Sequence, residues 1–218
     1  MRAAPDMPQT TLENSAACRA RRSAARAAAA LLIAGSWTLG AGARDSAAAE
    51  PPRLPGARRV IEAIDYPSLQ AAVDAAGPQG GLVRLPPGTF DLAAPLVIAT
   101  DDVHLEGAGS ATVLRNVSES GQATLAIRPP AAPDDKRARI WRVEVSNLRL
   151  VGNPKCGHGV DALQVNEIFL HGVTVTGHGG AGVRLDNCYE DPRINDCLIT
   201  YNAQAGAELL GCHDIVIS

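Results

Sequence analysis

The feature of this sequence that most restricts its fold is a repeat of 23 to 25 residues in the last third of the chain. Val143, Val145, Leu148 and Leu150 align with Ile168, Leu170, Val173 and Val175, 25 residues on. Those align in turn with Pro192, Ile194, Cys197 and Ile199, 24 residues further, and Ile215 and Ile217 open another copy. Each copy holds two alternating apolar segments around a two-residue corner: Ser146-Asn147, His171-Gly172 or Asn195-Asp196. These residue types tolerate the left-handed or bridge backbone that a sharp bend needs. A third segment begins at Gly159-Val160, Gly182-Val183 and Gly206-Ala207 and runs toward Val165, Cys188 and Cys212. Three short strands per two dozen residues is the requirement of a parallel β-solenoid, whose coils stack about 4.8 Å apart with like side chains in columns. A leucine-rich repeat would need a Leu-x-x-Leu-x-Leu-x-x-Asn signature and helix-period segments, and the repeat has neither.

Composition agrees with an all-β solenoid. Hydrophobic residues make up 46% of the chain but aromatic ones only 3%, so the core must be filled by Ala, Val, Leu and Ile, while 21 Gly and 15 Pro suit many tight turns. The net charge of −3 provides no basic face, and no interleaving of Arg or Lys with aromatic residues is present, which excludes a nucleic-acid partner.

The amino-terminal residues differ from the rest. Arg19, Arg21, Arg22 and Arg26 precede the apolar run Ala27 to Ala34, which fades through Trp37 and Leu39 to Ala41-Gly42-Ala43. This is the layout of a secretory signal over residues 1–43, with Ala49 an equal alternative for cleavage, and it places the mature chain outside the cytoplasm, secreted or periplasmic. The run is too short and Gly-rich for a span of roughly 20 apolar residues, so no stable membrane span is expected after cleavage. Arg21-Arg22 reads as an ordinary basic segment rather than a twin-arginine signal. Residues 44–57, rich in Pro, Ala and Arg, read as a linker, and the solenoid as residues 58–218.

At the start of that domain Leu69, Ala72, Val73 and Ala76 follow helical spacing within Pro67 to Ala76, and Gly77 sits where a helix would stop. Such a helix would cap the open end of a solenoid, covering strand edges and apolar core. The helix Ser68 to Ala76, then Leu85-Pro86-Pro87-Gly88-Thr89-Phe90, then Leu105-Glu106-Gly107-Ala108-Gly109 resembles the N-terminal part of the pectate-lyase-like superfamily, a grouping of polysaccharide lyases, rhamnogalacturonase-type hydrolases and mannuronan epimerases. The resemblance covers roughly residues 60 to 218 and implies a right-handed parallel β-helix. It also implies a polysaccharide groove along the outer face of one sheet, an acidic glycan as partner, no organic cofactor, and calcium as the candidate metal. These motifs mark scaffold and capping rather than chemistry. The chain ends at Ile215-Val216-Ile217-Ser218, inside a new coil with no cap behind it, so the helix is expected to be incomplete.

The groove sheet of such enzymes corresponds best to the third segment. Alternation turns Val183 and Leu185 inward and Arg184 outward, so Asp161, Arg184 and Glu208 should form one exposed column with Asp186 beside it. The carboxylates could serve as acid, base or calcium ligand, and the arginine could stabilise a uronate as its α-proton leaves. The plain alternative is a ladder of favourable cross-strand charge pairs. Among the histidines His158, His171 and His178, the repeat makes His171 a corner residue and puts the other two beside Gly-rich turns, in solvated loops. His178 is the best general-base candidate of the three, because Gly177 to Ala181 leads into the groove strand. Tyr189-Glu190-Asp191-Pro192-Arg193 superficially resembles the Tyr-Gly-Phe-Asp-Pro-His motif of mannuronan epimerases, but it lies about one strand late and carries Arg193 for the histidine. It reads better as a turn entering a strand.

Cys18 would leave with the signal, and the remaining four cysteines, Cys156, Cys188, Cys197 and Cys212, form no CxxC pair, which argues against zinc. Cys188 and Cys212 occupy equivalent positions on successive coils, as a disulfide or as stacked buried thiols. Asn116-Val117-Ser118 is a glycosylation sequon, meaningful only in a eukaryotic secretory pathway.

Overall fold

The computed structural model describes residues 56–218. The signal expected over 1–43, Cys18, and the expected linker apart from Gly56 and Ala57 lie outside the described residues. The described chain winds into a parallel β-solenoid of about seven turns, made of one sheet of seven strands and two of five. Each coil visits the three sheets in the same order, as in Ile140–Ser146, Arg149–Val151 and Val160–Leu163.

The register is the one the repeat dictates. Val143 pairs with Ile168 and Val145 with Leu170 in the first sheet, Leu150 with Val175 and Val175 with Ile199 in the second, and Val160 with Val183 in the third. Inward positions therefore stack into apolar columns such as Val83, Leu105, Val145, Leu170 and Ile194, all almost fully buried. Each such side chain contributes roughly 1.5–3 kcal/mol relative to an exposed one, and the columns together form a single core.

The corners follow from backbone sterics. Between the first and second sheets, Asn147, Gly172 and Asp196 have φ of 53°, 62° and 52°, the left-handed region that turns a strand within two residues. A second column of left-handed residues, which the repeat reading did not single out, joins the third sheet to the first: Gln164, Asn187 and Gly211, at 60°, 53° and 58°. The recurring glycine that opens the third segment has a packing cause. A Cβ on Gly159 would collide with Val175 Cγ1 of the next coil, and one on Gly182 with Ile199 Cγ2 of the coil after its own, so the chain can cross over the core there only without a side chain.

The capping helix is shorter than expected. It spans Leu69–Asp74, starting after Ser68, whose Oγ accepts from the Ala71 N–H at 3.1 Å, and ending before Gly77 at φ 56°. Ala72, Val73 and Ala76 enter the core as their spacing requires. Gln70 fixes the helix to the strand Leu96–Ile98 by accepting from Val97 N at 2.8 Å and donating to Val97 O at 2.9 Å. Among the described residues no helix is long and apolar enough to cross a membrane.

Candidate functional site

The third sheet carries the charged column predicted from the alternation. Asp161 lies beside Arg184, and Arg184 beside Glu208, in consecutive in-register pairs, and Leu163, Asp186 and Leu210 form the neighbouring column. The guanidinium of Arg184 reaches three carboxylates: Asp161 Oδ1 at 3.1 Å from Nη1, Asp186 Oδ2 at 2.7 Å from Nη2, and Glu208 Oε2 at 3.4 Å from Nε. Of the four side chains, Asp161, Arg184 and Asp186 are only about a fifth to a quarter exposed, whereas Glu208 is more open. One cation against three anions leaves the group two negative charges in excess.

Asp186 links this column to a polar chain on the adjoining corner. Asn187 Nδ2 donates to Asp186 Oδ1 at 2.7 Å, and the Tyr189 hydroxyl donates to Asn187 Oδ1 at 3.0 Å. Beside it lies a cavity of about 310 Å³ lined by Pro133, Lys136, Leu163, Gln164, Asp186 and Asn187. Its far wall is the excursion of residues 128–139, held down by the buried Gln164, whose Nε2 donates to Asp135 O at 2.8 Å and Ala138 O at 2.9 Å. Arg139 also sits over the Tyr189 ring, 5.1 Å from its centroid. The sequence reading missed this wall and the lysine it carries. Its signal was the stretch Arg128-Pro129-Pro130-Ala131-Ala132-Pro133-Asp134-Asp135-Lys136, turn-forming residues that interrupt the repeat between two core strands.

His178 requires a correction. It is 1% exposed rather than in a solvated loop opening on the groove. Its Nε2 is 2.8 Å from Thr124 Oγ1, its Nδ1 3.1 Å from Asn202 Oδ1, and Asn202 Oδ1 also accepts from the His178 N–H at 3.0 Å. Burial holds the imidazole pKa below its ordinary value, with the Asn202 hydrogen bond acting the other way and His158 adding to the decrease. The room for the ring comes from Gly152, where a Cβ would stand 2.5 Å from His178 Cδ2. A base enclosed on both nitrogens has no path to a substrate proton, so His178 is a core histidine. His158 is half-buried, its Nδ1 accepting from the Ala181 N–H at 3.0 Å, and His171 is an exposed corner residue 3.5 Å from Asp196.

Tyr189 to Arg193 is the expected turn: Glu190 and Asp191 are exposed with φ of 59° and 57°, and Arg193 begins the next strand. The sequon asparagine, Asn116, is 3% exposed, with Nδ2 donating to Gln122 O and Thr124 Oγ1, so the folded coil encloses the amide a glycan would need. Among the described residues all four cysteines are free thiols and no cluster of three or more metal-ligating side chains occurs.

No family model matches the chain, and no curated protein sequence matches it. Two solved structures do. ORF18 of Geobacillus virus E2 superposes with a TM-score of 0.53 at 19% identity, over 63% of this chain and 30% of the viral protein. This chain thus spans under a third of that protein's length, and the likeness is one of fold alone. A Parabacteroides merdae protein described as a "putative glycosyl hydrolase" aligns over 68% of this chain and 86% of its own, at 14% identity and a TM-score of 0.26, too low to carry an argument.

Proposed function

We propose that the chain is a carbohydrate-active member of the pectate-lyase-like superfamily that acts outside the cytoplasm and lays an acidic polysaccharide along the outer face of the third sheet, without an organic cofactor. The observation that carries this reading is the outward column Asp161, Arg184 and Glu208 with Asp186 at the edge of a walled cavity. A run of carboxylates around one guanidinium, open on one side and flanked by Lys136, offers groups that could move a proton and stabilise an oxyanion. The two excess negative charges also set a condition. A uronate carboxylate is repelled here unless a divalent cation, calcium by its preference for carboxylate oxygen, bridges sugar and protein.

The test is the ultraviolet absorbance of the conjugated double bond that β-elimination creates, followed on pectin, alginate and related uronans with and without calcium, alongside a reducing-end assay for hydrolysis. Calcium-dependent turnover that falls about a hundredfold or more in Asp186→Asn and Arg184→Lys supports the proposal. Turnover unchanged in both variants removes these residues from the chemistry.

A second reading, a glycan-binding module without turnover, draws on the same geometry. Asp161 and Asp186 are both held by Arg184, which is how a structural ladder looks. Saturable uronan binding by a well-folded chain that leaves the polymer intact would favour it, and absence of both binding and turnover would overturn both readings.

A further inference from the structure

The corner between the third and first sheets holds an inward column that begins aliphatic and ends in sulfur. Ile140 pairs with Val165, and the registers Leu163 to Asp186 and Asp186 to Leu210 carry the same position on to Cys188 and then Cys212. The cysteines therefore occupy one column on adjacent coils, where neighbouring strands stand about 4.8 Å apart, inside the 4.4–6.8 Å Cα separation that a disulfide spans. Cys188 Sγ faces Ala162 O and Asp186 O, and Cys212 Sγ faces the equivalent carbonyls one coil on, Leu185 O and Leu210 O. Cys212 Sγ also accepts from the Cys188 N–H at 3.4 Å, which sets that sulfur against the Cys188 backbone. Cys197 belongs to another column, continuing Leu148 and Val173, with its sulfur directed at Asn195 O and Leu170 O. Cys156 closes its own turn, with Sγ against Asn153 O at 3.1 Å.

We infer that Cys188 and Cys212 are a disulfide-forming pair, oxidised by low-molecular-weight disulfides, that clamps the coil between residues 188 and 212 onto the one before it. This property is independent of the groove and of the chemistry proposed for it.

The two thiols are unequal in the way such a reaction needs. Cys188 is fully buried, and the neighbouring Cys212 sulfur together with burial pushes its pKa up. Cys212 is partly accessible, and its thiolate is favoured by the Cys188 thiol and N–H beside it, which lower its pKa to about 6 against the opposing effect of burial. Cys212, the one sulfur of the pair that solvent reaches, is accordingly the attacking group. Its thiolate displaces one thiolate from the small disulfide, forming a mixed disulfide on Cys212, and the released thiolate takes up the proton lost from Cys212. Cys188 sulfur then attacks Cys212 sulfur, its proton passing to the second small thiol as that thiol departs. Two protein thiols and one small disulfide become one protein disulfide and two small thiols, with the small disulfide as the oxidant.

The full reduced chain is treated with oxidised glutathione under native conditions, quenched in acid, and cleaved after Arg and Glu without reduction. These cuts separate residues 185–190 from 194–208 and 209–218, and so place the three cysteines on three peptides. The expected product links residues 185–190 to 209–218, two hydrogens lighter than the sum of the free peptides, and forms unchanged in Cys197→Ser. In Cys188→Ser the reaction is expected to stop with one glutathione on Cys212, and in Cys212→Ser residue 188 should stay unmodified. Since either variant could misfold, the wild-type peptides decide alone. A Cys188–Cys212 link at concentrations of oxidant that leave Cys156 free supports the inference, and free Cys188 and Cys212, or a link through Cys197, overturns it.

Discussion

At the scale of single residues, the chain places its polar groups where the solenoid leaves no alternative. His178 is the clearest case, because both of its ring nitrogens are committed to partners on other coils, Thr124 and Asn202. Its pKa is depressed in the fold, so the unfolded chain binds a proton first as pH falls through the ordinary histidine value near 6.5. The contribution of the neutral ring to stability is complete above that value and is lost below it. The stability advantage of the wild type over His178→Gln is therefore expected to shrink as pH is lowered from about 7 to about 5, read as the difference between their urea midpoints. An advantage independent of pH would mean that the ring is not held neutral. Asp102 shows the opposite arrangement at the surface. Arg142, and then Arg58, hold its carboxylate at a pKa of about 2, so that pair matters at any pH a cell meets.

At the scale of the coil, much was legible and the rest has definable causes. Strand register, the Asn147, Gly172 and Asp196 corners and the outward column Asp161, Arg184, Glu208 could all be read from the sequence, because a period of two within strands and about 24 between coils leaves each residue one place to point. His178 could not, since its burial depends on the absence of side chains at Gly152 and Gly159, a relation between three positions that no pattern of polarity encodes. The cavity wall showed in the sequence only as a break: the Pro-rich residues 128–139 have no counterpart in the other coils, so the repeat gives no place for them. The glycine column offers a direct check. A Cβ at Gly182 would lie 2.7 Å from Gly206 O and collide with Ile199, so Gly182→Ala is expected to cost about 2 kcal/mol in urea unfolding. A change below a few tenths of a kcal/mol would show that the coil relaxes around the methyl group.

At the scale of the whole molecule, each coil bonds only to the coils on either side, and stability is therefore graded along the axis. The first coils are covered by the helix Leu69–Asp74, whereas the last described strands expose Leu198, Leu209, Val216 and Ile217. Ala207–Leu210 has a partner strand on one side alone, while Leu125–Ile127 lies between two. Amide hydrogen exchange is expected to be about a hundredfold or more faster in Ala207–Leu210 than in Leu125–Ile127. Equal protection in the two strands would indicate that the described coils open as one cooperative unit.

The excursion of residues 128–139 gains a further meaning from this architecture. It leaves the axis after Ile127 and rejoins it at Ile140, and the strands on either side keep the spacing they would have without it. It behaves as a parenthesis in an otherwise regular text: its wording can be rewritten while the sentence around it still parses. The wall of the cavity beside Asp186 can thus be exchanged by grafting a dozen residues, so long as the insert returns two carbonyls to the buried amide of Gln164.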